Sequence, residues 1–348
     1  MDGGERSPAC KQAAQRWQIY STRSLLIITD HPDRVGHRPE NVRFLGIANK
    51  TGVAREGQDT PDGFQKKLSE LSAGTVAKPV ACLAVLGLVS THQEYFLLVV
   101  TEAAMMVING QSVYRIQKCQ CIPFAEPARE ACEALPGVLT LLEDNFYFSG
   151  DFDITRRLQW RVENARVAEP PSMSTVDPRF VWNSSLCAAF LAQGVSEYWF
   201  TPVMQGFAQC QELPGPEGKL LLVLLARRSR RHAGTRYNAR GLDDDGEAAN
   251  WVETEMLVKL PGNKEHWLAL TQVRGSAPVF WEQRSSGSNV TVTRGFELAS
   301  LGFQKHEAWM QREYGDSFYV SLLSQAGNKR DTEGVLVEAL MEQSRPDQ

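Results

Sequence analysis

The chain has 348 residues, 43% apolar and 22% charged, with a formal charge of −4. That length suffices for two domains of ordinary size, each with its own core, and the composition is that of a folded globular protein. An acidic balance excludes a general nucleic-acid binder, whose affinity for a phosphate backbone needs a broadly basic face, so any anion site must be local. The polar start MDGGERSPACKQAAQRW lacks the apolar region of a secretory signal. No window reaches the roughly 18 uncharged apolar residues of a membrane span. A cytosolic setting without an integral membrane segment is expected.

Seven cysteines, Cys10, Cys82, Cys119, Cys121, Cys132, Cys187 and Cys210, are scattered with no Cys-x-x-Cys pair. They read as reduced thiols, and neither a disulfide framework, a metal site nor a cofactor is expected. His31, His37, His92, His266 and His306 stand in no metal or triad spacing and read as ordinary polar or core residues.

In chain order, short β-rich runs come first: SLLIITD (24–30), CLAVLGLVS (82–90), EYFLLVVT (94–101), AMMVING (104–110) and SVYRIQKCQCIPF (112–124). Turn residues such as THQ and NGQ separate the last four at hairpin spacing, which predicts an antiparallel meander. A helix is expected over AEPAREACEALPGVLTLLED, broken at Pro136. The stretch NARVAEPPSMSTVDP reads as a linker. A helix is expected to start within RFVWNSSLCAAFLAQ. Strands are expected at EYWFTPVMQGFAQCQEL, KLLLVLLARRS, NWVETEMLVKL and HWLALTQVRGSAPVFW, then a helix at FQKHEAWMQREYG and a strand at SFYVSLLSQ. The expected class is α+β or mixed α/β, with a β-rich N-terminal part followed by a mixed-sheet part. The expected divisions are a polar tail over 1–16, a β-rich subdomain over 17–168, a linker over 169–178 and a second domain over 179–348.

The stretch RRSRRHAGTRYNARG (227–241) places six arginines and one histidine in fifteen positions with no carboxylate. It follows a buried-strand run, at a strand end where the scaffold fixes a loop while leaving its side chains free. Guanidinium forks grip phosphate oxygens in pairs, which makes Arg228, Arg230, Arg231, Arg236 and Arg240 candidates for one wall of a phosphate site or for a membrane-facing basic surface. In the alternative reading, DDDGE (243–247) neutralises them as a solvated hairpin. Arg274 and Gly275 form a second basic strand end able to converge with Arg228 and Arg236, or a plain turn before Pro278. Glu253 and Glu255 alternate along a strand and share a face, where they either position arginines or are solvated. Asn183 is expected to satisfy backbone groups beside the sheet. Trp182, Trp199, Phe280 and Trp281 read as core rather than ligand stackers.

Five blocks, NFYFSGDFDITRRLQ, DPRFVWNSSL, YWFTPVMQGF, RRSRRHAGTRYNARGLDDDGEAANWVETE and QVRGSAPVFWEQ, together resemble the Sac-domain phosphoinositide phosphatases, in family order across residues 145–283. His232 stands where the family's Arg-Ala-Gly-x-Arg-Tyr element begins with arginine. The first 125 residues resemble the family's N-terminal subdomain more loosely. The resemblance implies hydrolysis of a phosphomonoester from an inositol headgroup by a cysteine that opens a Cys-(five residues)-Arg-Thr loop. A helix N-terminus there would lower the thiol pKa and hold the phosphate.

Among the seven cysteines only Cys10 has an arginine six positions on, at Arg16. It has no glycine or acidic partner, follows no expected strand and lies far from the family's catalytic loop, so it is rejected. The expectation is therefore a partial catalytic domain that stops before the nucleophile loop, or an inactive module that binds phosphoinositide headgroups or a protein partner. Its expected partners are headgroups at anionic membrane surfaces, with a protein partner or the missing C-terminal half as further possibilities, and no nucleic acid. The expected place is the cytoplasm, peripheral at the cytosolic face of endomembranes, the endoplasmic reticulum or Golgi by family resemblance.

Overall fold

The computed structural model describes residues 15–30, 40–72, 78–126, 129–143, 145–164, 166, 170–216, 218–233, 240–261, 266–283, 289–323 and 333–343. The chain divides into two compact units, Met1–Leu225 with Glu255–Leu270, and Ala226–Thr254 with Thr271–Gln348. The content is mixed α and β, as the sequence predicts.

In the first unit, β1 (Trp17–Ser21), β2 (Leu25–Asp30), β3 (Val42–Ala48), β4 (Ala54–Asp59) and β5 (Val80–Cys82) form an antiparallel sheet ordered β4-β3-β2-β1-β5. Alternation buries Trp17, Ile19, Leu26, Ile28, Leu45 and Ile47 in one cluster. Helix α1 (Pro61–Leu71) starts where Thr60 Oγ1 accepts the Gly63 N–H at 3.2 Å and Pro61 occupies the first turn. Phe64 and Leu68, one helical turn apart, close over Tyr20 and Ile27.

The larger sheet contains β6 (Ala84–Thr91), β7 (Glu94–Ile108), β8 (Gln111–Pro123), β9 (Phe146–Phe148), β10 (Met204–Gly215), β11 (Gly218–Arg228), β12 (Val252–Lys259) and β13 (Trp267–Arg274). They lie in the order β13-β12-β11-β10-β9-β8-β7-β6, and β11 to β13 run through residues of both units. The β6–β7–β8 meander is antiparallel. Its turns place His92 and Gln93, then Asn109 and Gly110, at positive φ, which matches the twist of the flanking strands.

In the first unit three expected elements differ. EYFLLVVT and AMMVING are one strand, β7, because register shifts around Glu102 absorb the polar Thr101–Glu102 pair and Lys118 meets Glu102 across the ladder at 3.0 Å. Helix α2 (Arg129–Leu142) continues through Pro136, whose exposed position lets solvent serve the bond its missing N–H would make. Within EYWFTPVM, Glu197–Trp199 form a 3-10 turn and the ladder begins at Met204. Two short helices, α3 (Leu158–Glu163) and α4 (Ser184–Leu191), complete the unit.

The second unit holds β14 (Trp281–Glu282) paired with β15 (Thr291–Val292), α5 (Phe296–Tyr314) and α6 (Gly334–Gln343). Val279, Val290 and Leu336 form its small core. A second packing centre is aromatic: Trp251 meets Trp309 edge-on with ring centroids 5.0 Å apart, and His306 and Tyr314 close around them. The strand expected at SFYVSLLSQ is absent over Ser317–Leu323, and its last two residues lie outside the described residues. Gly315, at φ 77°, ends α5, and residues 316–323 beyond it join no ladder, leaving Phe318, Val320 and Leu322 exposed.

Candidate functional site

Strand β11 carries apolar alternation up to the arginine-rich stretch: Val223, Leu225 and Arg227 are buried on one side, and Arg228 faces the other. Arg227 is not among the residues that charge density singles out, but its parity with Val223 and Leu225 marks it as inward-facing. Its guanidinium is fully buried and donates to Glu253 Oε1 at 3.0 Å. Glu253 Oε2 accepts the Tyr314 hydroxyl at 2.8 Å. A buried charge pair is tolerable only when hydrogen bonds complete it, and this one is so completed.

On the opposite side, Arg228, Arg240 and Arg274 line one open cleft of about 350 Å³ together with Asn250, Val252, Gly275 and Ser276. Each wall is fixed locally. Ser229 N–H donates to Trp251 O at 2.8 Å and Ser276 N–H to Ala249 O at 2.9 Å. Gly241, at φ 65°, packs so closely that a Cβ would lie 2.2 Å from Val279 O, and its N–H donates to Ser276 Oγ at 2.9 Å. Arg240, next to it, lies over the Trp281 ring at 5.2 Å. Gly275 lies flat on the Trp251 indole, where a methyl would approach to 2.7 Å. A smaller, partly open pocket of about 10 Å³, beside Asp153, Trp160, Arg161 and Thr175 in the first unit, has room for a single water.

The remaining basic residues have other settings. Arg231 pairs with Glu247, and His232 Nε2 meets Asp243 Oδ2 at 2.6 Å. DDDGE therefore neutralises part of the stretch. Arg230 is exposed. Arg236 lies outside the described residues, with the rest of 234–239. Glu255, in the first unit, accepts the Leu158 N–H at 2.6 Å. Asn183, also in the first unit, donates to Leu86 O and Thr201 O and accepts the Val203 N–H, each at 2.9 Å. Those bonds occupy its amide, so it makes no side-chain cap on α4. Trp199 and Phe280 are buried.

Burial pushes the Cys119 and Cys187 thiols up to about 12 and Cys121 up to about 11, and it raises Cys82 and Cys210 as well. A thiol so shifted is a poor source of thiolate. Burial also lowers His306, whose Nδ1–H donates to Gly246 O at 2.9 Å. Among the described residues no three His, Cys, Asp or Glu side chains come close enough to hold a metal ion, and no helix is long and apolar enough to cross a membrane.

The sequence pattern of the SacI homology domain matches residues 83–345. The inositol-1,4,5-trisphosphate 5-phosphatase 1 of Schizosaccharomyces pombe is 33% identical over 217 residues, covering 58% of this chain and 20% of that protein. The polyphosphatidylinositol phosphatase INP53 of Saccharomyces cerevisiae is 36% identical over 197 residues, 53% of this chain and 17% of its own length. The phosphoinositide phosphatase SAC5 of Arabidopsis thaliana is 30% identical over 273 residues, 73% of this chain and 34% of its own length. The chain thus spans a minor part of each of these relatives. With most of its length matched by the domain's pattern, the chain belongs to the SacI homology family, the Sac-domain phosphoinositide phosphatases.

Proposed function

We propose that this chain supplies the headgroup-binding part of a phosphoinositide phosphatase, with its basic cleft taking a phosphomonoester of an inositol lipid at an anionic membrane surface. The observation that carries the reading is the convergence of Arg228, Arg240 and Arg274 on one open cleft of the second unit. Three guanidiniums present paired donors to a dianion, and an open cleft admits a headgroup still attached to its bilayer. Arg236, named from the sequence as part of the same wall, belongs to this reading as an expectation. The domain division proposed with it is a polar tail over 1–16, an N-terminal subdomain over 17–168, a linker over 169–178 and a phosphatase-like part over 179–348. The proposed place is the cytosolic face of endomembranes.

The phosphocysteine chemistry of such phosphatases is proposed to lie outside these 348 residues. No cysteine from Cys82 onward has an arginine six positions on. The raised pKa of five buried or half-buried thiols supports the same reading. Those thiols also favour a second reading, a headgroup-binding module that performs no hydrolysis.

The test uses the 348-residue chain with liposomes carrying phosphatidylinositol 4-phosphate, and follows sedimentation and phosphate release together. Binding is expected to fall about tenfold or more in Arg274→Ala, since a charge-assisted bond contributes about 1.5–3 kcal/mol, with a melting temperature close to the parent's because Arg274 is exposed. No phosphate release is expected. Release that disappears with Arg274→Ala would show a nucleophile within this chain. Binding unchanged by Arg228→Ala and Arg274→Ala would remove the cleft as the site.

A further inference from the structure

The basic cleft is one side of a wall whose other side is buried, and a hydroxyl from α5 reaches that buried side. Around the start of β12, alternation sends Val252 to the cleft and Trp251 and Glu253 away from it. Tyr314 Oη donates to Glu253 Oε2 at 2.8 Å and accepts from Trp251 Nε1 at 3.4 Å, so one group spans both neighbours of Val252. The other oxygen of Glu253 accepts from Arg227, the residue before Arg228, at 3.0 Å. The Trp251 indole is the surface against which Gly275 lies, directly after Arg274. Both arginine-bearing walls are thus referred to the same hydroxyl, Arg228 through Glu253 and Arg274 through Trp251.

Resting on the headgroup-binding reading above, we propose that Tyr314 is a positioning residue for anion binding. Its hydroxyl fixes Glu253 and Trp251, and through them the spacing of Arg228 and Arg274 across the cleft. Two guanidiniums grip one phosphate together only within a narrow range of separation, so a wall displaced by about an ångström leaves one of them out of reach. The hydroxyl touches no ligand itself; its effect is on how many charges the ligand meets at once.

The test titrates the full chain with water-soluble dioctanoyl phosphatidylinositol 4-phosphate at several salt concentrations. Tyr314→Phe is expected to bind about three- to tenfold more weakly, the loss equivalent to one partly buried hydrogen bond. Its affinity should also fall less steeply with added salt, because fewer charges engage the phosphate. A merely destabilised protein would lose binding sites in proportion to its unfolded fraction and keep both the affinity and the salt dependence of the remainder. Gly275→Ala provides a second variant that leaves Tyr314 in place and drives a methyl against Trp251, with the same shallower salt dependence expected. Parental affinity and salt dependence in Tyr314→Phe, or in Gly275→Ala should Tyr314→Phe not fold, overturn the proposal. If Arg274→Ala binds weakly while Tyr314→Phe binds normally, only the role of Tyr314 falls. If Arg274→Ala itself binds as the parent does, the cleft is not the site and both readings fall.

Discussion

Asp177 in the first unit and the described residues of 228–247 in the second treat positive charge differently. Asp177 is buried and gathers two arginines, Arg179 Nη2 at 2.7 Å and Arg156 Nη1 at 3.4 Å, with its backbone N–H bonded to Thr155 Oγ1 at 2.8 Å. In the second unit, Arg231 and His232 meet Glu247 and Asp243 near the surface, while Arg228 and Arg240 line a cleft with Arg274. The lesson concerns solvent. An ion pair withdrawn from water is a structural element whose loss leaves a buried charge uncompensated, whereas a pair in water is nearly replaceable by hydration. Arginine content alone therefore does not locate a binding site; the setting of each guanidinium does.

The largest expected effect comes from breaking the buried node. Burial alone would raise the Asp177 carboxyl, but the hydrogen bonds and charges of Arg179 and Arg156 outweigh it and hold the pKa below the ordinary carboxylate value. Asp177→Asn should cost about 3 kcal/mol, read as a lower urea midpoint with an unchanged slope. The sign of the pH effect follows from the lowered pKa. The ionised form is favoured in the folded state, so its contribution is present above the unfolded carboxylate value of about 3.9 and is lost as pH falls through the folded value. The parent should lose stability in that acidic window, and Asp177→Asn should lose less. Equal midpoints for the two proteins at neutral pH would place Asp177 among the dispensable pairs and erase the contrast.

Part of this contrast was legible in the sequence. Residues of β6, β7, β8, β11 and β12 announce themselves as apolar β-rich runs, and helix formers mark the later part of α5 over FQKHEAWMQREYG, whereas its first turns over Phe296–Gly302 lie outside the expected helix. The strand β4, AREGQD, does not, because it buries only Ala54 and owes its place to pairing with β3 rather than to its own pattern. Over Ser317–Leu323 the expected strand fails in the other direction: these side chains suit a strand, but a strand exists only where a neighbour satisfies its backbone. At the site, charge density pointed to Arg228 and Arg240, and a basic strand end pointed to Arg274 and Gly275. The roles of Asn250, Val252 and Ser276 depend on which strand ends the fold brings together. Tyr314, on a helix 61 residues beyond Glu253, carried no local signal at all.

A middle-sized effect belongs to His306, which is buried without charge. Burial lowers its pKa despite the bond to Gly246 O and the nearby Glu307 carboxylate. A lowered folded pKa means the unfolded chain takes up the proton first. Stability should therefore decline as pH drops below about 6.5 and continue declining until the folded value is passed, with a slope of at most about 1.4 kcal/mol per pH unit. Unfolding midpoints between pH 5 and 8 for the parent and His306→Gln read this directly. A variant with the same decline as the parent would assign it to other groups and would remove His306 from the set of burial-controlled charges.

The smallest effect should come from the pair that resembles the cleft most in sequence and least in setting. The Arg231 side chain is 47% exposed, and Glu247 is its partner. Exposed pairs contribute about 0–1 kcal/mol, so Arg231→Ala should shift the urea midpoint by the equivalent of less than about 0.5 kcal/mol. Headgroup binding by Arg231→Ala should also stay within about twofold of the parent, since the lost charge is already matched by Glu247, whereas Arg274→Ala should lose about tenfold. The two variants remove the same side chain from the same unit and differ only in what the guanidinium faces. If Arg231→Ala lost as much binding as Arg274→Ala, long-range net charge rather than the cleft would govern affinity, and raising the salt concentration would abolish both losses together.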